Sequence, residues 1–240
     1  LIGRAFWFMD LSEQKIQSDW WQRYRSGIEF YRVLHRPDGT LPRIGDTHPR
    51  GGLTIAQKTE GNHVRLSRLQ RAPLETALGF YPVAGYAVGW RQYPASTDTL
   101  EKSQFSLVWS RFPMQGHKHA DELSLLFWAD GVDWWTSVGY WPYGHLHRGA
   151  AEGWTGANAP HYIGEPAESE RETELVAKRR SENGVRFFDL RRTANEYQTR
   201  RQLLGLPNGT WAVLDTARDR QGRQTREVWR TGPEVELERE

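Results

Sequence analysis

The spacing of apolar residues changes near Gly79, and this change constrains the fold more than any other feature of the sequence. Between residues 12 and 35, apolar and aromatic side chains recur every three or four positions, which predicts a helix with Ser12 as its N-cap. A second helix is expected at about residues 65–78, kinked by Pro73. After Gly79, short runs rich in Val and aromatic residues alternate with turn residues, including an Asn-Gly pair at 208–209. The sequence therefore predicts an α+β chain in which a helical first third precedes stacked antiparallel sheets.

The composition is typical of a soluble globular protein, with 38% hydrophobic and 26% charged residues in a chain of 240. No run of about 18 apolar residues is present to cross a bilayer, so membrane insertion is not expected. The first residues lack a signal pattern, and because the chain begins with Leu1 rather than Met we expect a fragment or a processed chain. The absence of cysteine excludes disulfides, thiolate metal sites and cysteine nucleophiles. Oligomeric state has no signal in the sequence.

The basic residues are unusual, because only five of the 32 are lysine and the rest are arginine. Guanidinium groups pair with carboxylates and sulfates through two hydrogen bonds, which suits an acidic polymer as partner. A GC-rich genome with its codon bias explains the same composition equally well. The basic clusters at 178–180, 191–192 and 200–201 lie among strand-like residues, and we interpret them as the solvated face of a sheet. Since no nucleic-acid reader motif surrounds them, no nucleic-acid partner is predicted.

The segment "GHKHADELSLLFW" places titratable groups where a loop enters a buried strand. In an extended conformation His117, His119 and Asp121 project from one face, because side chains alternate along a strand. The apolar residues that follow occupy both faces, as in a strand covered on each side. Partial burial and mutual charge at such a position tune pKa values, although an isolated His-x-His is more often only structural.

In its context "RFPMQGHKHADELSLLFWADGVDWW", this segment resembles the heparinase II/III-like family of polysaccharide lyases, which includes heparin, heparan and alginate lyases. The resemblance extends in short segments to "PDGTLPRIGDT", "YPVAGYAVGWR", "GANAPHYIGE" and "RRQLLGLPNGTWAVLD". It implies an α/α toroid followed by a layered antiparallel β-sandwich, with a sugar chain bound between them. Residues 1–80 would then be a helical segment, the tail of the toroid, and residues 81–240 an incomplete heparinase II/III-like β-sandwich domain.

The resemblance also implies a reaction, the β-elimination of a uronate-containing glycan. His117 matches a histidine that faces the substrate and neutralises its carboxylate or moves protons. Tyr143 and Arg148, in "WPYGHLHRG", lie in a loop where the family places groups near the substrate. Trp141 and Trp154 are the candidates for exposed rings that bind sugar. The family's principal catalytic Tyr belongs to the toroid before the Pro-Asp-Gly turn, so the chain alone is expected to be inactive.

A metal site is implied as well, but this sequence departs from the family's pattern. His119 and His161 match two ligand histidines, while the position of the third ligand, an aspartate in the family, is Ser137. A neutral hydroxyl is a poor replacement for a carboxylate oxygen, and two histidines make an incomplete zinc site. Asp121 and Asp133 are the alternatives that substitute for the third ligand if the backbone permits. We therefore expect zinc to be bound weakly or not at all, and no other cofactor is predicted.

Some residues of the matching segments have simpler explanations. Asp46, in "IGDT", is expected to form a capping or turn hydrogen bond. Tyr24 and Tyr31 are expected to pack along the helix, since their helical spacing is a sufficient explanation. The predicted function is that of a lyase fragment acting on an acidic polysaccharide, in a periplasmic or secreted location in bacteria. The alternative is a non-catalytic glycan-binding or scaffold protein that keeps the lyase fold, because fold does not guarantee function.

Overall fold

The computed structural model of the protein describes residues 2–36, 38–48, 54–61, 63–69, 78–91, 103–111, 117–236 and 238. The chain divides into two compact units. The first consists of Leu1–Leu41 with Arg50–Glu75, and the second of Pro42–Pro49 with Thr76–Glu240. In the described part of the chain, no helix is long and apolar enough to span a membrane.

The first unit combines two helices with a β-hairpin. Its elements are α1 (Ile2–Leu11), α2 (Ser18–Leu34), β1 (Thr54–Lys58) and β2 (Val64–Arg68). The two strands pair antiparallel. A small core joins all four elements, because Phe6, Trp21, Ala56 and Val64 are buried together and the rings of Phe6 and Trp21 lie 4.8 Å apart. Tyr24 belongs to this cluster, in agreement with its interpretation as a packing residue.

Two sequence predictions fail in this unit, the start of the first helix with Ser12 as its N-cap and the existence of the second helix. The helix expected from residue 12 begins at Ser18, and the Ser12 hydroxyl instead donates to the Phe8 carbonyl at the end of α1. The helix expected at 65–78 is wrong, because β2 covers 64–68 and β3 of the second unit begins at Leu78. Residues 70–77 lie outside the described part. A few apolar residues in a short segment fit both the helical and the strand repeat. This segment forms a strand because it pairs with β1.

The second unit contains most of the strands. They are β3 (Leu78–Tyr81), β4 (Tyr86–Arg91), β5 (Ser103–Val108), β6 (Ser124–Ala129), β7 (Val132–Trp135), β8 (His161–Tyr162), β9 (Glu172–Arg180), β10 (Arg186–Ala194), β11 (Tyr197–Gly205), β12 (Trp211–Asp219) and β13 (Thr225–Arg226). A short helix, α3 (Arg148–Glu152), and a 3-10 turn at Trp154–Gly156 lie between β7 and β8. The predicted change to strands after Gly79 is confirmed.

Two antiparallel sheets form the sandwich. One has the order β3-β4-β5-β6-β7 and the other β12-β11-β10-β9. Their facing sides share one core, in which Phe105 of β5 contacts Phe188 of β10 and Trp211 of β12, with ring centroids 5.8 Å and 4.7 Å apart. Leu107, Leu125, Leu190 and Leu203 are buried in the same cluster. The predicted antiparallel β-sandwich is confirmed, whereas the assignment of the helices to a toroid stays a prediction.

Tight turns set the register of the second sheet. The predicted Asn-Gly turn is confirmed: Gly209 has φ 89° and joins β11 to β12. Asn195 and Glu196, both at positive φ, form the two-residue link from β10 to β11. Two-residue links of this kind match the twist of the strands they connect.

The arginine pairs of this sheet are not all solvated. Arg192 and Arg201 are buried, while their neighbours Arg191 and Arg200 lie on the outer face. Alternation along each strand sends adjacent side chains to opposite faces, so each pair contributes one arginine to the interior. Both buried guanidinium groups form ion pairs, Arg192 with Glu165 and Arg201 with Asp215. The interpretation of the basic clusters as a solvated face is therefore corrected for Arg192 and Arg201.

Candidate functional site

The candidate site forms where segment 42–48 meets the segment that begins at His117. Asp46 N donates to the His117 carbonyl at 3.2 Å, and Gly45 N donates to Asp121 Oδ2 at 3.2 Å. Gly45 has φ 52°, and a Cβ there would lie 2.7 Å from the His117 carbonyl oxygen. Glycine is required at this point, since any side chain would separate the two segments.

The carboxylate of Asp46 is the centre of the site. Its Oδ2 lies 2.8 Å from His117 Nδ1 and accepts a hydrogen bond from the Tyr143 hydroxyl at 2.9 Å. Its Oδ1 lies 2.9 Å from His119 Nε2. Arg148 Nη2 donates to both oxygens, at 3.2 and 2.9 Å. The expected capping role of Asp46 is therefore wrong, because its oxygens bind four side chains.

Hydrogen bonding decides the charge of Asp46. Burial by itself would raise its pKa, but the bonds from His117, His119, Arg148 and Tyr143 outweigh burial and lower the pKa well below the usual range. Asp46 is therefore ionised at neutral pH. The same carboxylate raises the pKa of Tyr143, mainly through the hydrogen bond between them, so the phenol keeps its proton.

Two titratable groups of the site face solvent. The side chain of His117 is 75% exposed and Tyr143 is 60% exposed, whereas the side chain of Asp46 is only 7% exposed. The Tyr143 hydroxyl lies 3.0 Å from His117 Nδ1. A buried anion thus holds an exposed imidazole and an exposed phenol side by side, an arrangement suited to proton transfer on a bound molecule.

Arg148 faces this cluster rather than open solvent. Its side chain is 12% exposed, its Nη1 donates to the Trp141 carbonyl, and its Nη2 lies 2.5 Å from Glu152 Oε1. The guanidinium also stacks on the Tyr143 ring, with 3.9 Å from its carbon to the ring centroid. The predicted substrate-binding role of Arg148 stays a prediction, but in this conformation its contacts are to the protein.

A buried ion network supports the histidine segment from behind. Lys118 pairs with Asp121 and Glu122, and Arg171 pairs with the other oxygen of Glu122 at 2.9 Å. Burial would lower the pKa of Lys118, but the two carboxylates raise it above its usual value. Asp121 is committed to Lys118 and to the Gly45 amide, so it is not available as a substitute metal ligand.

The implied zinc ligands do not fit a zinc ion. His119 directs Nε2 at Asp46, while His161 hydrogen-bonds the Ala159 carbonyl through Nδ1 at 3.0 Å and stacks on Trp154. Burial lowers the pKa of His161, so it is a neutral imidazole. The buried Ser137 hydroxyl, which has no hydrogen-bond partner among the described residues, offers no negative charge. Two histidines and a serine lack the anionic ligand that the family pattern supplies.

The two tryptophans predicted to bind sugar differ in burial, and the prediction for Trp141 stays a prediction. Trp141 is half-buried, and its Nε1 donates to His145 Nδ1 at 2.9 Å. Trp154 is only 3% exposed, so the prediction that it forms an exposed platform is wrong. The guanidinium carbons of Arg171 and Arg192 lie 4.9 and 4.2 Å from the centroid of its ring. Trp154 is therefore part of the core, where it is buried with Ala120 and Ala159.

Sequence reasoning missed two residues of the site. Asp46 lies 71 positions before His117, and only its place in the matching "IGDT" segment marked it. Glu152 follows Arg148 by four residues on α3, and this helical spacing brings the two side chains together. Neither signal by itself distinguishes a site residue from an ordinary turn or a surface ion pair.

Comparison with known proteins identifies the family of the chain and several solved structures with a similar fold. The sequence model of the family described as "Heparinase II/III-like, C-terminal" matches residues 73–240. No curated protein sequence matches the chain. Among solved structures, the Heparinase III-BT4657 gene product superposes with a TM-score of 0.62 at 13% identity, covering 84% of this chain and 33% of its own length.

Other similar structures give the same fold. Heparan sulfate lyase HepC from Pedobacter heparinus matches with a TM-score of 0.61 at 12% identity, over 84% of this chain and 33% of that one. A further Heparinase III structure gives 0.60 at 12% identity, over 86% of this chain and 36% of that one. At these identities the similarity establishes the fold alone. The chain spans about a third of the length of each of these proteins.

Proposed function

Because the chain belongs to the family of heparinase II/III-like C-terminal domains, we propose that it forms the β-sandwich part of a polysaccharide lyase that cleaves a uronate-containing glycan by β-elimination. The observation that carries this proposal is the exposed pair of His117 and Tyr143, held 3.0 Å apart on the buried carboxylate of Asp46. The names of similar structures, heparinase III and heparan sulfate lyase, support an acidic polysaccharide as substrate.

β-Elimination requires three steps at the uronate. A base removes the proton at C5, the C4–O bond breaks with its electrons leaving on the oxygen, and an acid protonates that oxygen. The product carries a double bond between C4 and C5. The C6 carboxylate must also be neutralised, because negative charge develops next to it in the transition state.

His117 is assigned the proton transfer at C5. The ionised Asp46 can only accept hydrogen bonds, so His117 donates to it through Nδ1, and in the neutral form of the imidazole Nε2 is the nitrogen that takes the C5 proton. Tyr143 keeps its proton, and its hydroxyl oxygen lies 3.0 Å from the same nitrogen, His117 Nδ1. Trp141 is proposed as the ring that a sugar stacks against. The acid that protonates the departing oxygen is assigned to no residue of this chain.

The full-length protein should be incubated with heparan sulfate, alginate and related polymers, and the ultraviolet absorbance of the unsaturated product followed. His117→Ala should abolish turnover and leave the circular dichroism spectrum unchanged, since it removes an exposed side chain. His147→Ala is the matched control, because His147 is an exposed histidine outside the Asp46 cluster, and it should retain activity.

The outcomes separate this proposal from its alternative. Absence of product from every uronate polymer contradicts the lyase proposal. Glycan binding detected by calorimetry without elimination would instead support a non-catalytic glycan-binding protein, which the replacement of the expected aspartate by Ser137 also favours. A periplasmic or secreted location is part of the lyase proposal, because an enzyme of this kind must reach an extracellular polymer.

A further inference from the structure

Three potential metal ligands converge beside the candidate site, and they differ from the set that the family pattern implies. Ligand atoms of Asp46, His119 and Glu152 all lie within 4.8 Å of one another. One imidazole nitrogen and two carboxylate oxygens form a donor set that zinc accepts, with water as a fourth ligand. Neither Ser137 nor His161 belongs to this group.

A cation of the protein already lies among these ligands. Arg148 Nη2 is 2.9 Å from Asp46 Oδ2 and 2.5 Å from Glu152 Oε1, so one guanidinium bridges both carboxylates. We propose that Arg148 takes the place of a divalent cation at this site, and that its removal exposes a zinc site formed by Asp46, His119 and Glu152.

The charges around the site explain why a metal ion and Arg148 exclude each other. Two carboxylates brought this close repel each other unless a positive charge lies between them, and a planar guanidinium satisfies both through separate N–H groups. A divalent ion in the same space would lie within about 4 Å of the guanidinium, and the repulsion there amounts to a factor of about 100 or more in affinity. A metal ion in this space would also replace the hydrogen bond between His119 Nε2 and Asp46 Oδ1.

The test is zinc binding by purified, metal-free protein, measured by calorimetry and elemental analysis. Wild type should hold well under one zinc per chain. Arg148→Ala should bind one zinc per chain about 100-fold or more tightly than wild type, and zinc should raise its melting temperature in proportion to the logarithm of zinc concentration. Arg148→Lys keeps a positive charge and should show no such gain. Adding Glu152→Gln to Arg148→Ala should abolish the gain.

Each result bears on the proposal in one direction. If wild type binds stoichiometric zinc as tightly as Arg148→Ala, or if Glu152→Gln leaves the new binding intact, the proposal is wrong. If Arg148→Ala does not fold in metal-free buffer, it is refolded with zinc: recovery of the native circular dichroism spectrum supports the proposal, and failure to recover contradicts it. The inference does not rest on the proposed lyase function, because every readout is metal binding or folding.

Discussion

The buried ion pair between Glu165 and Arg192 allows a stability prediction with an internal control. Both side chains are fully buried, and Arg192 donates to both oxygens of Glu165 and to the Pro160 carbonyl. Glu165→Gln keeps the shape of the side chain but removes its charge, which leaves a buried guanidinium without a counter-ion. Breaking one partner of such a pair costs about 3–5 kcal/mol of unfolding free energy.

The adjacent residue on β10 provides the control. Arg191 pairs with Glu174 on the outer face, where the two side chains are 43% and 47% exposed. Glu174→Gln should cost at most about 1 kcal/mol, because solvent screens an exposed pair. At roughly 2–4 °C per kcal/mol for a chain of this size, the melting temperature should fall by about 6–20 °C for Glu165→Gln and by about 4 °C or less for Glu174→Gln.

The assay is urea denaturation followed by circular dichroism, with calorimetry for the melting temperature. A double variant, Glu165→Leu with Arg192→Met, removes both charges and should recover much of the loss, because apolar side chains avoid the cost of burying an unpaired charge. Equal destabilisation by Glu165→Gln and Glu174→Gln would refute the reasoning. Failure of the double variant to recover would show that the guanidinium matters mainly through its packing on Trp154.

Two further predictions follow from local geometry and charge. Burial, together with a hydrogen bond to Asp215, raises the pKa of Glu227 from 4.5 to about 7. The folded protein therefore binds this proton more tightly than the unfolded chain does. The unfolding free energy should fall as pH rises from about 4.5 to 7, by on the order of 3 kcal/mol. Glu227→Gln should remove that decline in urea titrations across this range, and an unchanged slope would contradict it. Gly45→Ala should shift the NMR signals of the His117 imidazole and destabilise the protein more than Gly222→Ala. Gly222 has a similar positive φ of 69° but open space around it, so Gly222→Ala should lower the unfolding free energy by only about 1–2 kcal/mol. Equal effects of the two substitutions would argue against the collision with His117.

The sequence predicted the strands after Gly79 and the turn at 208–209, because both are encoded by neighbouring residues. It failed at 65–78, where a short apolar segment fits two periods and pairing with the distant β1 makes it a strand. The pattern of neighbouring residues therefore predicted the secondary structure correctly where the pattern was long or chemically specific, as in the Asn-Gly turn.

The candidate site was also predicted only in part from the sequence. The family resemblance singled out His117, His119, Tyr143 and Arg148, and the structure brings all four to one carboxylate. It does not bring His161 into that cluster, and it buries Trp154 against the guanidinium groups of Arg171 and Arg192. Residues separated by a few positions on one loop or helix turn are neighbours whatever the fold, whereas contacts across many residues depend on packing.

What the sequence determined by itself is the kind of chemistry available: imidazoles, a phenol, arginines and carboxylates, without a thiol. Tertiary structure alone decided which carboxylate binds them. Asp46 reaches the histidines because Gly45 lets two backbone segments approach, and Arg148 fills the space between Asp46 and Glu152. Hydrogen bonds and ion pairs act over about 3 Å, so their partners are set by where the folded chain places the atoms and not by distance along the sequence.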